Sequence, residues 1–123
     1  MGKEDNMTLE GRALKVTVFF GESDRWRHQP LHTALVELLR REGCAGATVL
    51  RGVEGFGQAS RIHSAHILRL SEDLPMVLVF VDRAERVETL LPVIEGMLDG
   101  GLMTVEELHV RHYASGRAGG ASA

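Results

Sequence analysis

Residues 13–20 read "ALKVTVFF": Leu14, Val16, Val18 and Phe20 alternate with Lys15 and Thr17. A period of two marks a strand with one buried face. Residues 21–29, "GESDRWRHQ", carry no such pattern and read as a loop. Pro30 then stands where a first helical residue is favoured, and Leu31, Ala34, Leu35, Leu38 and Leu39 form an apolar stripe at helical spacing. Gly43 falls where a left-handed cap closes such a helix. "ATVLRGVEG" at 47–55 reads as a second strand, and "AHILRL" at 65–70 as an extension that pairs back. "PMVLVFVD" at 75–82 is apolar at every position up to Asp82, as in a central strand buried on both faces. Asp82, with Glu85 three residues on, matches a capping box. The helix it opens carries Val87, Leu90, Leu91, Ile94 and Leu98. Pro92 lies inside that helix and is expected to kink it, because it removes one backbone donor. Gly100 and Gly101 stop it, "TVEE" reads as a turn, and "LHVRHY" at 108–113 as the last strand.

The order is strand, helix, strand, excursion, strand, helix, strand. It predicts an α+β, ferredoxin-like βαββαβ sandwich: an antiparallel sheet with two helices on one face. The other sheet face is then bare. Met76, Leu78 and Phe80 oppose Val77, Val79 and Val81 on one strand, and two helices cover only one of these sets. The second set, with Phe19 and part of the 47–55 strand, forms an apolar patch of a kind monomers rarely expose. A homo-oligomer assembled through the open face follows.

Composition adds limits. The chain has 123 residues, 44% of them apolar, and a formal charge of -3. It is sized for one domain and has no global basic field for nucleic acid. Segments 1–11 and 114–123 read as a disordered and a flexible tail around a domain at 12–113. No apolar run reaches bilayer length, the N-terminus lacks a secretory pattern, and the lone Cys44 forms no internal disulfide. A cytoplasmic protein is expected. Only Lys3 and Lys15 are lysines; the other 12 cations are arginines, which suit bidentate anion recognition.

The candidate chemistry sits in loops. Gly55-Phe56-Gly57-Gln58 follows a strand; its backbone N–H groups can cradle an anion, or it is a plain glycine turn. Gly100-Gly101 is a second glycine loop, or only a helix stop. Arg111 and Tyr113 alternate away from Leu108 and Val110; a strand arginine so placed reaches a phosphate or simply meets solvent. His28 with His32, and His63 with His66, are spaced for metal, but three or four converging ligands are needed. "GESD" at 21–24 positions a ribose or a metal-bound water, or makes a turn. Cys44 lacks a basic sequence neighbour that would activate it. No catalytic triad or carboxylate pair assembles from spacing, so no enzyme is expected.

Several stretches taken together, "GES", "PLH", "GCAGATVLRGVEGFG", "IHSAHILRLSEDLP" and "LLPVIEGMLDGGLMTVEELHV", resemble the DUF190 group of PII-like proteins, from Leu14 to Tyr113. The resemblance implies a signal-transducing homotrimer whose open sheet faces pack inward. It also implies an adenine nucleotide in the cleft between subunits. Gly55, Phe56 and Gly57 would lie at the base of a long mobile loop, near adenine or ribose. Gln58 would match a loop-base glutamine that helps hold a metal and an oxoacid effector, and the segment that follows would be the output loop. Gly100, Gly101, Arg111, Tyr113 and Arg51 would complete the nucleotide site, the arginines and glycine-loop N–H groups on phosphate. The region that carries a lysine in PII proteins reads "DGGLMTVEE" here, and Tyr113 stands in place of a second arginine. AMP or ADP is therefore expected over ATP. The implied partner is a membrane transporter or channel. The alternative is a trimeric CutA-like protein that binds a divalent metal through His63, His66 and the "GESD" carboxylates.

Overall fold

The computed structural model describes residues 9–57 and 73–115. Six strands and two helices are described: β1 (Gly11–Gly21), β2 (Arg25–Trp26), β3 (Gln29–Pro30), α1 (Leu31–Arg41), β4 (Thr48–Arg51), β5 (Pro75–Arg83), α2 (Ala84–Met97) and β6 (Leu102–Val110). Four of the strands make one sheet in the order β4-β5-β1-β6, and every neighbouring pair is antiparallel. The two long strands of the predicted pattern, β1 and β5, are central, and both helices cover one face. This is the ferredoxin-like arrangement.

The core lies between sheet and helices. Val16, Val18 and Phe20 of β1, and Met76, Leu78 and Phe80 of β5, meet the α1 stripe Leu31, Ala34, Leu35, Leu38 and Leu39 and the α2 set Val87, Leu90, Ile94 and Met97; all are buried. Each large side chain so placed contributes about 1.5–3 kcal/mol by leaving water.

Helix α1 ends as its glycine predicts. Gly43 has φ +79, its N–H donates to the Arg40 carbonyl, and the Cys44 N–H donates to the Leu39 carbonyl. These two bonds form a Schellman closure. Pro30 sits one residue ahead of the helix, in β3, rather than at its first position. The capping box at Asp82 is also displaced: Arg83 is the N-cap residue and makes no side-chain cap bond. Asp82, only 4% exposed, instead ties two segments together. Its carboxylate accepts from the Ala45 N–H at 2.9 Å, the Arg83 N–H at 2.8 Å and Arg86 Nε at 3.2 Å. Arg86 in turn donates to the Glu42 carbonyl at 2.6 Å, joining α2 to the end of α1.

Other expectations are corrected. The 21–29 loop contains a two-residue hairpin, β2 on β3, turned by Arg27 (φ 50) and His28 (φ 72). That turn normally takes Asn-Gly, and each L-residue in the left-handed region costs about 1–2 kcal/mol. The Arg27 guanidinium lies 4.8 Å from the Trp26 ring centre, a contact that offsets only about 0.5–1 kcal/mol at an exposed site. Strand β4 is shorter than 47–55, ending at Arg51. Pro92 lies inside α2, as expected, and the helix runs on to Met97. "TVEE" is strand: β6 pairs with β1 from Leu102 to Val110, and the ladder outweighs the poor strand propensity of its glutamates. Arg111 and His112 therefore lie beyond the strand. At the other end, Gly11 already belongs to β1 and Leu9 is buried, inside the segment read as a tail. The 65–70 stretch lies outside the described residues.

Strand β5 is buried on its helix-facing side alone within one chain; Val77, Val79 and Val81 are half-buried on the other. The register aligns Leu50, Val77, Phe19 and Leu102 in one row across that open face. Leu50 is 55% exposed, Phe19 40% and Leu102 56%. The bare apolar face expected from the sequence is present, and β6 extends it.

Candidate functional site

The end of β1 and the starts of β5 and β6 meet at one end of the sheet. Gly21 pairs with Pro75, and Phe19 with Leu102. The loops leaving these ends enclose a cavity of about 450 Å³. Gly55, Phe56 and Gly57 line one side, and Gly101 and Leu102 another; Phe19, Phe20 and Pro75 supply apolar surface between them. Two glycine loops that are 44 positions apart (Gly57 to Gly101) thus share one cavity.

Packing explains the glycines at this end. The Gly52 N–H donates to the Pro75 carbonyl at 2.7 Å, and a Cβ on Gly52 would lie 2.8 Å from Pro75 Cγ. A Cβ on Gly55 would lie 3.2 Å from the same atom. The chain leaving β4 thus lies directly on Pro75, and Phe56 projects outward, 75% exposed. Gly101 has φ +89, and a Cβ there would lie 2.5 Å from the Phe19 carbonyl oxygen. Only glycine fits where the chain turns from α2 into β6 against β1.

Among the described residues, Asp24, Asp73 and Asp99 line the cavity, and no cation does. Two of these carboxylates shape the loop. Asp24 Oδ2 accepts from the Gly21 N–H at 3.2 Å, and Asp73 Oδ1 accepts from the Ser23 hydroxyl at 2.9 Å and its N–H at 3.3 Å. The "GESD" segment is therefore a turn held by its own side chains and Asp73. Asp73, Asp99 and Pro75 went unread in the sequence, where nothing but their fold position distinguishes them.

The remaining sequence candidates lie elsewhere. Arg51 is near this end but already pairs with Glu22, Nη2 to Oε2 at 2.7 Å. Gly100, with φ +103, precedes the lining Gly101. Arg111 and Tyr113 follow Val110, which pairs with Gly11 at the opposite end of β1. Eight strand residues separate that end from Phe19, about 27 Å at the usual rise. One chain therefore does not bring Arg111 and the glycine cavity to a common small ligand. Tyr113 is tied back by its N–H, which donates to Glu10 Oε2 at 2.9 Å. Gln58, His63 and His66 lie outside the described residues. Among the described residues, no three His, Cys, Asp or Glu side chains converge to hold a metal, and no helix is long and apolar enough to cross a membrane. The Cys44 thiol is pushed from 9.0 up to about 11, first by burial and then by the Asp82 charge, with Arg86 opposing weakly.

Comparison with known proteins bears on this arrangement. The family model DUF190, described as an uncharacterized ACR, matches residues 13–110. A UPF0166 protein of Aquifex aeolicus (strain VF5) is 30% identical over 93 residues, covering 76% of this chain and 88% of that protein. A UPF0166 protein of Methanocaldococcus jannaschii is 30% identical over 103 residues, covering 83% and 93%. Among solved structures, CPII of Thiomonas intermedia K12, a nitrogen regulatory PII-like protein bound to ADP, AMP and bicarbonate, superposes with a TM-score of 0.57 at 20% identity. That match covers 82% of this chain and 90% of CPII. A second CPII structure, bound to ADP and bicarbonate, gives 0.53 over the same shares, also at 20% identity. The fold is PII-like, and the chain belongs to the DUF190 family.

Proposed function

We propose that the protein is a PII-like regulator that binds an adenine nucleotide, AMP or ADP in preference to ATP, in clefts between the subunits of a homotrimer. The observation that carries this reading is the shared cavity of Gly55, Phe56, Gly57 and Gly101 at a sheet end that borders an exposed apolar face. A second copy packed on that face brings its own residues to the cavity. Arg111, remote from the cavity of its own chain, then reaches it from the neighbour. Arg51 reaches phosphate by exchanging Glu22.

The charge pattern supports the nucleotide preference. Among the described residues three aspartates line the cavity and no cation does, so against these walls each added phosphate raises the repulsion. A base and ribose fit these walls better than a triphosphate chain. The CPII structures, which hold ADP and AMP, lend the same class of ligand. Output would pass through the loop from Gln58 to Ser64 to a partner, with a membrane transporter or channel as the proposed class. A nucleotide shifts that loop only by binding one of its arrangements better than another. The CutA-like metal-binding alternative gains no support from the described residues.

Isothermal calorimetry with AMP, ADP, ATP and Zn²⁺, followed by thermal unfolding with each, tests this. A nucleotide at 100 times its Kd stabilises a protein by about 2.7 kcal/mol. Saturable heats with AMP or ADP, weaker with ATP, are expected. Stabilisation by Zn²⁺ and by none of the nucleotides would sink the proposal. Steady release of phosphate from bound nucleotide would replace the regulator with an enzyme.

A further inference from the structure

We propose a second binding site, on the helical side of the molecule, for a small anionic amphiphile: an apolar body carrying one carboxylate, sulfonate or phosphate. It is the groove between α1 and α2, about 480 Å³, closed at one side by the β2–β3 hairpin. It lies across the helical layer from the open sheet face and is separate from the glycine cavity.

Three locally unfavourable features converge on this groove. The first is the hairpin turn, where Arg27 and His28 both hold positive φ and the stacking on Trp26 compensates only part of the strain. The second is Gly96, inside α2, where a Cβ would meet nothing within 4 Å. Glycine is a poor helix residue, and no contact among the described residues requires it there. The third is Pro92, one turn earlier, which removes a helix donor. Pro92, Gly96, Trp26 and Arg27 all line the groove. Departures from local preference that gather at one place mark function more often than accident.

The lining dictates the ligand class. Trp26 and the buried Leu38 and Met97 give an apolar floor. Arg27 and Arg41 stand at its rim with a single carboxylate, Glu37. The ion pairs among the described residues use Arg12, Arg51, Arg83 and Arg86; Arg27 and Arg41 are in none of them. Two guanidiniums against one carboxylate favour an anion. The groove runs from Ala34 to Arg41 along α1, about 10 Å. That length suits a small molecule and is too short to seat a partner helix.

Trp26 is the only tryptophan, so its fluorescence reports on this groove alone. The full chain is titrated with decanoate, with decanol, decyltrimethylammonium and inorganic phosphate in parallel. Decanoate is expected to give a saturable shift of Trp26 emission, and the other three none at the same concentrations. The double variant Arg27→Gln, Arg41→Gln should bind decanoate about tenfold or more weakly, having lost both charge-assisted bonds. Gly96→Leu should fill the groove and abolish binding while keeping the melting temperature. Gly96→Ala, milder, should weaken binding and serves if the leucine variant fails to fold. Calorimetry confirms each affinity independently of the fluorophore. Absence of a saturable decanoate signal, decanol or phosphate binding as tightly as decanoate, or full affinity in the folded variants would overturn the assignment.

Discussion

Replacing Gly101 with alanine tests whether the second glycine loop belongs to the site or merely ends a helix. Gly100 supplies the control. Both have positive φ, +103 at Gly100 and +89 at Gly101, but a Cβ on Gly100 meets nothing within 4 Å. Gly100→Ala therefore carries backbone strain alone, of order 1–3 kcal/mol. At Gly101 the new Cβ falls 2.5 Å from the Phe19 carbonyl oxygen. Backbone cannot yield as a flexible side chain does, so the Phe19–Leu102 end of the β1–β6 pairing must shift. Overpacking of this kind adds about 1–3 kcal/mol. Gly101→Ala should thus lose roughly 2–6 kcal/mol in all, a large part of the 5–15 kcal/mol typical of a domain. Urea unfolding of both variants at one protein concentration reads the difference. With a slope of about 1–3 kcal/mol per molar, the Gly101→Ala midpoint should fall below that of Gly100→Ala by about 1 M. Calorimetry with ADP should show weaker binding in Gly101→Ala, because Phe19 and Leu102 line the cavity. Equal midpoints for the two variants would refute the packing argument, and unchanged ADP affinity in Gly101→Ala would detach the loop from the site.

Three further outcomes follow from the same geometry. Asp82→Ala removes the acceptor for Ala45 N–H, Arg83 N–H and Arg86 and so breaks a largely buried ion pair; denaturant titration should show a loss of about 3–5 kcal/mol. Phe19→Asp with Leu102→Asp puts charge into the exposed apolar row; light scattering should report a smaller assembly than the unmodified protein, and an unchanged mass would place the interface elsewhere. Cys44 should be alkylated with a rate midpoint near its pKa of about 11 rather than 9.0. Because the unfolded thiol ionises first, this group's contribution is present below pH 9.0 and is lost as pH rises toward 11; pH-dependent unfolding of Cys44→Ala should lack that loss.

Alternation in "ALKVTVFF" and the apolar run at 75–82 were enough to place the two central strands, and the leucine stripe enough to place α1. These segments are long, and burial enforces their period. The misread parts are those where a neighbour decides. In "TVEE" the glutamates oppose the strand preference of Thr104 and Val105, and the segment is strand because β1 offers a ladder. The hairpin at 25–30 escaped notice because its turn residues, Arg27 and His28, are not those the turn favours. The glycines and Phe56 of the candidate cavity stand out in the sequence as loop residues, though packing on Pro75 and Phe19 also requires the glycines. Of its aspartates only Asp24, in "GESD", stands out in the sequence; Asp73 and Asp99 join it only when the sheet end is assembled. Arg111 shows the limit of single-chain reading: within one chain it lies at the opposite end of β1 from the cavity, and only the proposed assembly would join the two.

The central claim is that an adenine nucleotide lies between subunits, and a crystal structure of the protein grown with ADP tests it most directly. The account predicts ADP against Gly55, Phe56, Gly57 and Gly101 of one subunit, with the phosphates near Arg111 of its neighbour. A monomer, an empty glycine cavity at saturating ADP, or ADP held wholly within one chain would contradict it.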